Sequence, residues 1–386
     1  MEFHSALAES HDLEEASDAV VSDIRRALGP TTIDLMVAFV SADYGEALDE
    51  LPGLMNAGMG APVFVGCTGA AQLHPTCMST ETPALSVLAG RLPAGEVAAC
   101  ALSATDLPHP DAPPADWRAL LPKTTSPIRG LIVLSEPHHF DPRPLLAGLD
   151  FALPNVPKIG GLASGGRQPN GNALFCAGQR RDHGAVLLAL AGDVTATPVV
   201  SQGCRPVGRP GYITQATGNR LATVDHIPAK TFVEQQLQGM SKDELAVAEL
   251  NPLFLGIASD PFRRAPPSAG EFLVRNVLGI DDEAQLVIGD ELSVGRSVQL
   301  HLRDGDDGAD DLATRLRRAG VATAKAAMMF RCVGREGQDH ARFHGVAPSV
   351  PMVGGTCSGE IGPVDAVTHL HAYTASCMLL REGAPS

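Results

Sequence analysis

Three segments of this 386-residue chain follow one plan, and that recurrence constrains its fold more than any other feature. The first has the apolar run LMVAFV from Leu35, the turn-like APVFVGCTGA at 61–70 and the run PALSVLA from Pro83. The second has GLIVLS from Gly130, VPKIGGLASG at 156–165 and GAVLLALAG from Gly184. The third has AAMMFRCVG from Ala326, VPMVGGTCSGEIG at 350–362 and HAYTASCMLL from His371. In each, the stretch between the first run and the glycines is long enough for a crossover helix joining two parallel strands. Each segment therefore reads strand, helix, strand, glycine turn, strand. The expected fold is α/β, with mixed sheets built from repeated β-α-β-β units and the N- and C-terminal halves related by internal repeat.

Between the second and third segments the pattern changes. Gly211–Ile227 reads as a short β segment. Ala229–Gln238 and Lys242–Leu250 read as helices, and 270–304 alternates like a β meander. Near the start, Leu13, Ala16, Val20, Ile24 and Leu28 recur at helical spacing, with Asp12 and Glu15 as a capping box and Gly29-Pro30 as a stop. The proline-rich stretch 103–116 reads as a surface loop. A boundary near 205 is expected, giving domains 1–205 and 206–386.

The chain holds 40 glycines and 30 prolines, nearly one residue in five, against an ordinary share of about 12%. The three glycine turns account for part of that excess. Their proposed use is to let the backbone turn with φ > 0 and to approach another backbone or a ligand closely. Lying along one sheet edge, they would share a pocket. The candidate ligand-binding residues are Gly66, Cys67, Thr68 and Gly69 in the first turn, Gly160 and Gly161 in the second, and Gly354, Gly355, Thr356, Cys357 and Ser358 in the third. Glu360 follows the third turn and could aim a carboxylate at a ligand amine. Arg275-Asn276, on the first meander strand, could hold a ligand carboxylate. The alternative is that the turns serve the fold alone, with Glu360 on the surface and Arg275 in an edge-strand ion pair.

Net charge is −15, from 29 basic and 44 acidic residues, which disfavours nucleic acid and anionic membranes as partners. The acidic N-terminus lacks the basic and apolar regions of a signal peptide, and the longest apolar run, Ala185–Ala191, is too short to span a bilayer. Eight scattered cysteines without a C-x-x-C read as free thiols, so the expected compartment is the cytoplasm. No P-loop, dinucleotide fingerprint, H-E-x-x-H or G-x-S-x-G occurs. Asp304, Asp306 and Asp307 lack the glycine and glutamate of a calcium loop and read as a helix start. His340 and His344 are spaced to share a helix face, as metal ligands can, but have no partner in a known pattern. No metal is assigned. Cys67 and Cys357, beside backbone N–H groups, could act as nucleophiles if their pKa were lowered.

Particular runs carry a resemblance. DLMVAFVSADYG at 34–45, PVFVGCTGA and TPALSVLAGRLP resemble the N-terminal FIST domain, named for F-box and intracellular signal transduction proteins. FLVRNVLGID, GDELSVGRSVQLHLRD, VPMVGGTCSGEIGPV and HLHAYTASCMLL resemble the C-terminal FIST domain. The resemblance implies a cytosolic sensory module binding a small-molecule ligand, amino acids among the candidates. Some bacterial relatives hold haem, sense nitric oxide and regulate a partner kinase or cyclic-dinucleotide enzyme. It supplies no catalytic residues, so the chain is expected not to be an enzyme. With no room for an F-box or an appended output domain, it is expected to signal through a separate protein. The alternatives are a haem-binding nitric oxide sensor and a thiol-dependent enzyme using Cys67 or Cys357.

Overall fold

The computed structural model describes residues 1–168, 170–259, 271–303 and 305–383. It is a mixed α/β structure with several mixed sheets. The chain opens with β1 (Glu2–Glu9), where no strand was expected, and α1 (Leu13–Leu28). The Asp12 carboxylate caps α1 by accepting from the N–H groups of Glu14 and Glu15, at 2.8 and 3.2 Å. Glu15 instead accepts from the Ser10 hydroxyl, so the reciprocal half of the capping box is absent. Gly29, at φ 71°, ends the helix.

The first segment continues as β2 (Leu35–Ser41), α2 (Leu51–Met59), β3 (Val63–Gly69), β4 (Gln72–His74), β5 (Cys77–Ser79), β6 (Ala84–Arg91) and β7 (Gly95–Leu102). After α3 (Pro114–Ala119) the second gives β8 (Ile128–Ser135), α4 (Pro142–Ala152), β9 (Lys158–Leu162), β10 (Leu174–Cys176), β11 (Gln179–Arg181), β12 (Ala185–Gly192) and β13 (Val194–Ser201). The middle region carries β14 (Arg205–Thr217), β15 (Arg220–Val224), β16 (Ile227–Pro228), α5 (Ala229–Gln238), α6 (Lys242–Leu250), β17 (Phe254–Ala258), β18 (Phe272–Ile280), β19 (Leu286–Ile288) and β20 (Ser297–Leu302). Next come α7 (Gly305–Arg318), β21 (Ala326–Cys332), α8 (Asp339–Val346), β22 (Met352–Cys357), β23 (Glu360–Val364), β24 (Val367–His371) and β25 (Ala375–Glu382).

These elements form two compact units. Residues 1–200 and 312–386 make the first, and 201–311 the second. In the first unit each crossover helix (α2, α4, α8) joins two parallel strands, β2–β3, β8–β9 and β21–β22. A later strand of the same segment (β6, β12, β25) lies antiparallel on the other side of the first. The outer hairpin of every sheet comes from a different segment. β10–β11 extends the sheet of β3, β23–β24 that of β9, and β4–β5 that of β22.

The first strands are largely apolar because both faces are buried over most of their length. Leu35, Val37 and Phe39 of β2, Ile132 and Leu134 of β8, and Met328 and Phe330 of β21 meet in one central core. Phe39 and Phe330 pack edge to face there, with ring centroids 5.5 Å apart. The alternate residues face outward under helices. Met36, Ala38 and Val40 pack with Val20 and Ile24 of α1, Leu131 and Val133 with Leu145 and Leu149 of α4, and Ala327 and Met329 with Leu312 and Leu316 of α7. Each such buried aliphatic side chain contributes about 1.5–3 kcal/mol. In the second unit, β14 pairs with both β20 and β15, which closes an antiparallel sheet on itself around Leu255, Ile257, Val298 and Leu300.

Candidate functional site

The sequence-predicted glycines lie inside strands β3, β9 and β22, not in turns, and none has a positive φ. Gly66, Gly160 and Gly354 stand opposite Ala38, Val133 and Met329 of the parallel neighbour. At all three a Cβ would overlap that residue's carbonyl oxygen, so the requirement is close backbone approach. Gly161 leaves room for Cys357, and Gly355 for the Phe39 ring.

Beyond the glycines the three strands meet. Ser164 donates its backbone N–H to the Thr68 carbonyl (3.0 Å) and its hydroxyl to the Thr356 carbonyl (2.6 Å). Its Oγ also accepts from Ala70 N–H at 3.0 Å. Thr356 Oγ1 accepts from Ala71 N–H (2.8 Å), Thr68 Oγ1 from Ala173 N–H (3.0 Å), and Ser358 N–H donates to the Leu162 carbonyl (3.0 Å). The fold thus brings the predicted segments together as a packed, internally bonded junction. Gly69 belongs to it, its carbonyl accepting from the Gln72 amide at 2.7 Å. Both predicted cysteines are buried there. Burial pushes the Cys67 thiol up to about 12, and burial followed by the neighbouring Cys67 raises Cys357 well above its ordinary value. Neither carries the lowered pKa that an activated nucleophile needs.

Glu360 is fully buried, not exposed. Burial raises its carboxyl well above the usual range, against the pull of the Thr374 N–H, which donates to Oε2 at 3.1 Å. Among the described residues its Oε1 has no hydrogen-bond partner. Cys332, at the end of β21, is close enough that burial and then Glu360 push its thiol up to about 11. Asp339, also fully buried, accepts from Arg331 Nε (2.9 Å) and from Arg335 Nε and Nη2 (2.9 and 3.1 Å). Arg331 also donates to the Gly337 carbonyl at 3.0 Å, and Arg335 to that of Tyr373 at 3.2 Å. This network fills the C-terminal end of β21.

Arg275 and Asn276 belong to the second unit, so the fold does not place them in the same compact unit as the glycine strands. Arg275 Nε donates to Asp290 at 2.6 Å, an ion pair as in the alternative reading, but β18 lies between β17 and β19 and is not an edge strand.

The end of β8 is built differently. Glu136 follows the strand directly and is fully buried. Its Oε2 accepts from the N–H groups of His138 and His139 (2.8 Å each) and from His139 Nδ1 (3.0 Å). His139 then lines a cavity of about 390 Å³ with Ser103, Thr105, Asn170, Asp182, His183 and Gly184. His183 Nδ1 is held by Asp182 Oδ1 at 2.6 Å, and this contact comes first in keeping that carboxyl below its usual range. Two imidazoles therefore each have Nδ1 fixed by a carboxylate, which sets the tautomer and leaves Nε2 available. The walls come from the segments after β7, β8 and β9 and from the turn before β12. The cavity lies at the carboxyl ends of parallel strands β8 and β9, where α/β sheets hold ligands.

Most of these residues were not found from the sequence. His138-His139 stood out only as a histidine pair. Ser103 with Thr105, Asn170 and Asp182-His183 arrive from three separate segments, and His138-His139 from a fourth. The one local signal is a glutamate directly after an apolar strand and two residues before a histidine pair. Among the described residues no group of three or more His, Cys, Asp or Glu is arranged to hold a metal ion. His340, His344, His369 and His371 line none of the described cavities, and His371 Nε2 is bonded to the Gly362 carbonyl at 3.0 Å. Among the described residues no helix is long and apolar enough to cross a membrane.

Residues 34–227 match the FIST N domain and 229–363 the FIST C domain, so the chain belongs to the FIST family. It is 31% identical over 263 residues to an uncharacterised protein of Mycobacterium bovis, covering 64% of this chain and 66% of that one. A second uncharacterised protein, from Mycobacterium tuberculosis, is 31% identical over 259 residues, covering 64% and 67%. The chain thus spans just under two thirds of the first relative's length. Among solved structures it is similar to cyanuric acid hydrolase from A. caulinodans (TM-score 0.36, 8% identity, 99% and 100% covered) and to a chorismatase (TM-score 0.31, 12% identity, 98% of each).

Proposed function

We propose that this chain is a small-ligand-binding sensory protein of the cytoplasm, with its binding site in the cavity at the end of β8. It acts by binding, not turnover, and passes its state to a separate signalling protein of the kinase or cyclic-dinucleotide class. The observation that carries the reading is the pair of anchored imidazoles, His139 and His183, converging with the Ser103 and Thr105 hydroxyls on one cavity. Its volume of about 390 Å³ falls within the roughly 300–1,000 Å³ of metabolite pockets. Imidazole Nε2 atoms, hydroxyls and a carboxylate suit a small polar metabolite, an amino acid being one example. Family membership supports sensing as the purpose. We read the three similar sheets as copies of one unit, with the glycine strands as the rigid scaffold beneath the site.

The buried, raised-pKa state of Cys67 and Cys357 does not favour a thiol enzyme. The test is a thermal-shift screen of polar metabolites on the whole chain, repeated on the His139→Ala/His183→Ala double variant. A ligand at a hundredfold its Kd stabilises by about 2.7 kcal/mol. The expected result is a shift in the parent chain that disappears in the double variant. A shift surviving both substitutions moves the site elsewhere, and no shift across the screen overturns the reading.

A further inference from the structure

Strand β7 ends its sheet and pairs with β12 alone along all eight residues, without a register break. Its other side offers backbone N–H and C=O groups to which no strand bonds among the described residues. The other long edge strands are guarded. β13 carries Pro198, and β1 packs beneath α1, with His4 bonded to Asp23 of that helix at 3.2 Å. The remaining edges of the first unit, β5, β11 and β24, are three to five residues long.

β7 has none of these protections. Its sequence, GEVAACAL, holds no proline or lysine. Its one charge, Glu96, is occupied by the N–H groups of Thr125 and Ser126 at 2.8 and 2.9 Å and by the Thr125 hydroxyl at 2.9 Å. A groove of about 640 Å³ runs along it, floored by Ala98–Leu102 and walled by Ala119–Lys123.

Charge placement names the occupant. The bonds from Thr125 and Ser126 to Glu96 put the 123–126 segment, with exposed Lys123, beside the start of β7. Asp106, also exposed, accepts from Ser103 N–H at 2.7 Å just past the strand's finish. Both line the groove, and neither has an ion pair among the described residues. When a strand pairs antiparallel with a copy of itself, the start of each faces the finish of the other. Lys123 of one chain then meets Asp106 of the second, twice, by the same twofold operation. We propose that the open edge of β7 is a homodimer interface, at which two copies join their sheets through antiparallel β7–β7 pairing flanked by two Lys123–Asp106 contacts.

The experiment is light scattering and sedimentation on the full chain, with hydrogen exchange read at residues 96–101. The wild type should run at twice its 40.2 kDa chain mass. Its β7 amides should gain protection as concentration rises. Lys123→Glu and Asp106→Lys should each weaken the dimer by about tenfold or more, because each creates like-charge contacts. An equimolar mixture of the two variants should dimerise again, since both contacts are then of opposite sign. Lys123 makes no side-chain hydrogen bond or ion pair among the described residues, so that variant should remain folded even if Asp106→Lys loosens its turn. Three results overturn the proposal. They are a monomeric wild type up to about 100 µM, which leaves the edge to an extended segment of another protein, a dimer indifferent to both substitutions, and a dimer whose β7 amides exchange as in the monomer.

Discussion

The ends of β8 and β21 occupy the same place in the same local strand order, yet they have opposite fates. After β21, two arginines and Asp339 close the space with charge-assisted bonds, and Glu360 is sealed beside them. After β8, Glu136 takes up backbone N–H groups and one imidazole, and a cavity opens beyond. The corresponding end of β2 closes more simply, with the Ser41 hydroxyl donating to Gln72 at 2.8 Å. The local strand order is thus the same at both ends. The residues just past the strand decide whether that place is filled or left as a cavity.

The largest effect should come from breaking the closed end. Asp339→Ala leaves two buried guanidinium groups unpaired and should cost about 3–5 kcal/mol in urea unfolding. A loss under 1 kcal/mol would mean the network is not buried as described. Gly160→Ala forces a methyl group into the Val133 carbonyl and should cost about 1–3 kcal/mol. A neutral outcome would restore the glycines as candidate contacts.

Glu360→Gln sharpens the contrast through pH. A buried carboxyl with a raised pKa keeps its proton in the folded state while the unfolded chain releases it. Wild-type stability therefore falls as pH rises from the ordinary carboxyl range toward the folded pKa. Glutamine removes that penalty. The variant should melt higher than wild type at pH 8, by several degrees, and the gap should close in acid. Equal melting curves at both pH values would show that Glu360 is not held protonated. At the open end, His139→Ala should cost about 1 kcal/mol, because buried Glu136 loses the imidazole bond but keeps both backbone N–H donors, while abolishing any ligand-induced shift. Least of all, brief iodoacetamide treatment at neutral pH should label exposed Cys77 and spare Cys67 and Cys357. Early labelling of either buried thiol would count against the sealed junction.

The sequence carries local information well here. The buried face of α1, the crossover helices and the helices at 229–238 and 242–250 stand where periodicity and caps place them. The three parallel strand pairs were legible because apolar runs and glycines recur at matched spacing. What could not be read is long-range. That β4–β5, β10–β11 and β23–β24 each join another segment's sheet depends on contacts far apart in the chain, for which two-residue alternation gives no partner. The glycines were read as turns because a missing side chain gives the same signal for positive φ as for close packing, and here packing prevails. Glu360 looked exposed because a lone carboxylate usually is, and its burial follows from pairing with Gly161. The cavity residues have no shared period at all.

The exchange of hairpins bears on how the protein is made. β4 emerges early, but its partner β22 and the neighbouring β21 lie beyond the whole 201–311 unit. At roughly 5–20 residues per second of synthesis, a nascent chain keeps that edge unsatisfied for some tens of seconds. The glycine-rich junction then forms late, from contacts of large sequence separation, which slows folding. A ribosome-bound chain stalled before Ala326 should hold a central core missing one of its three sheets, and chaperone engagement should peak in that window.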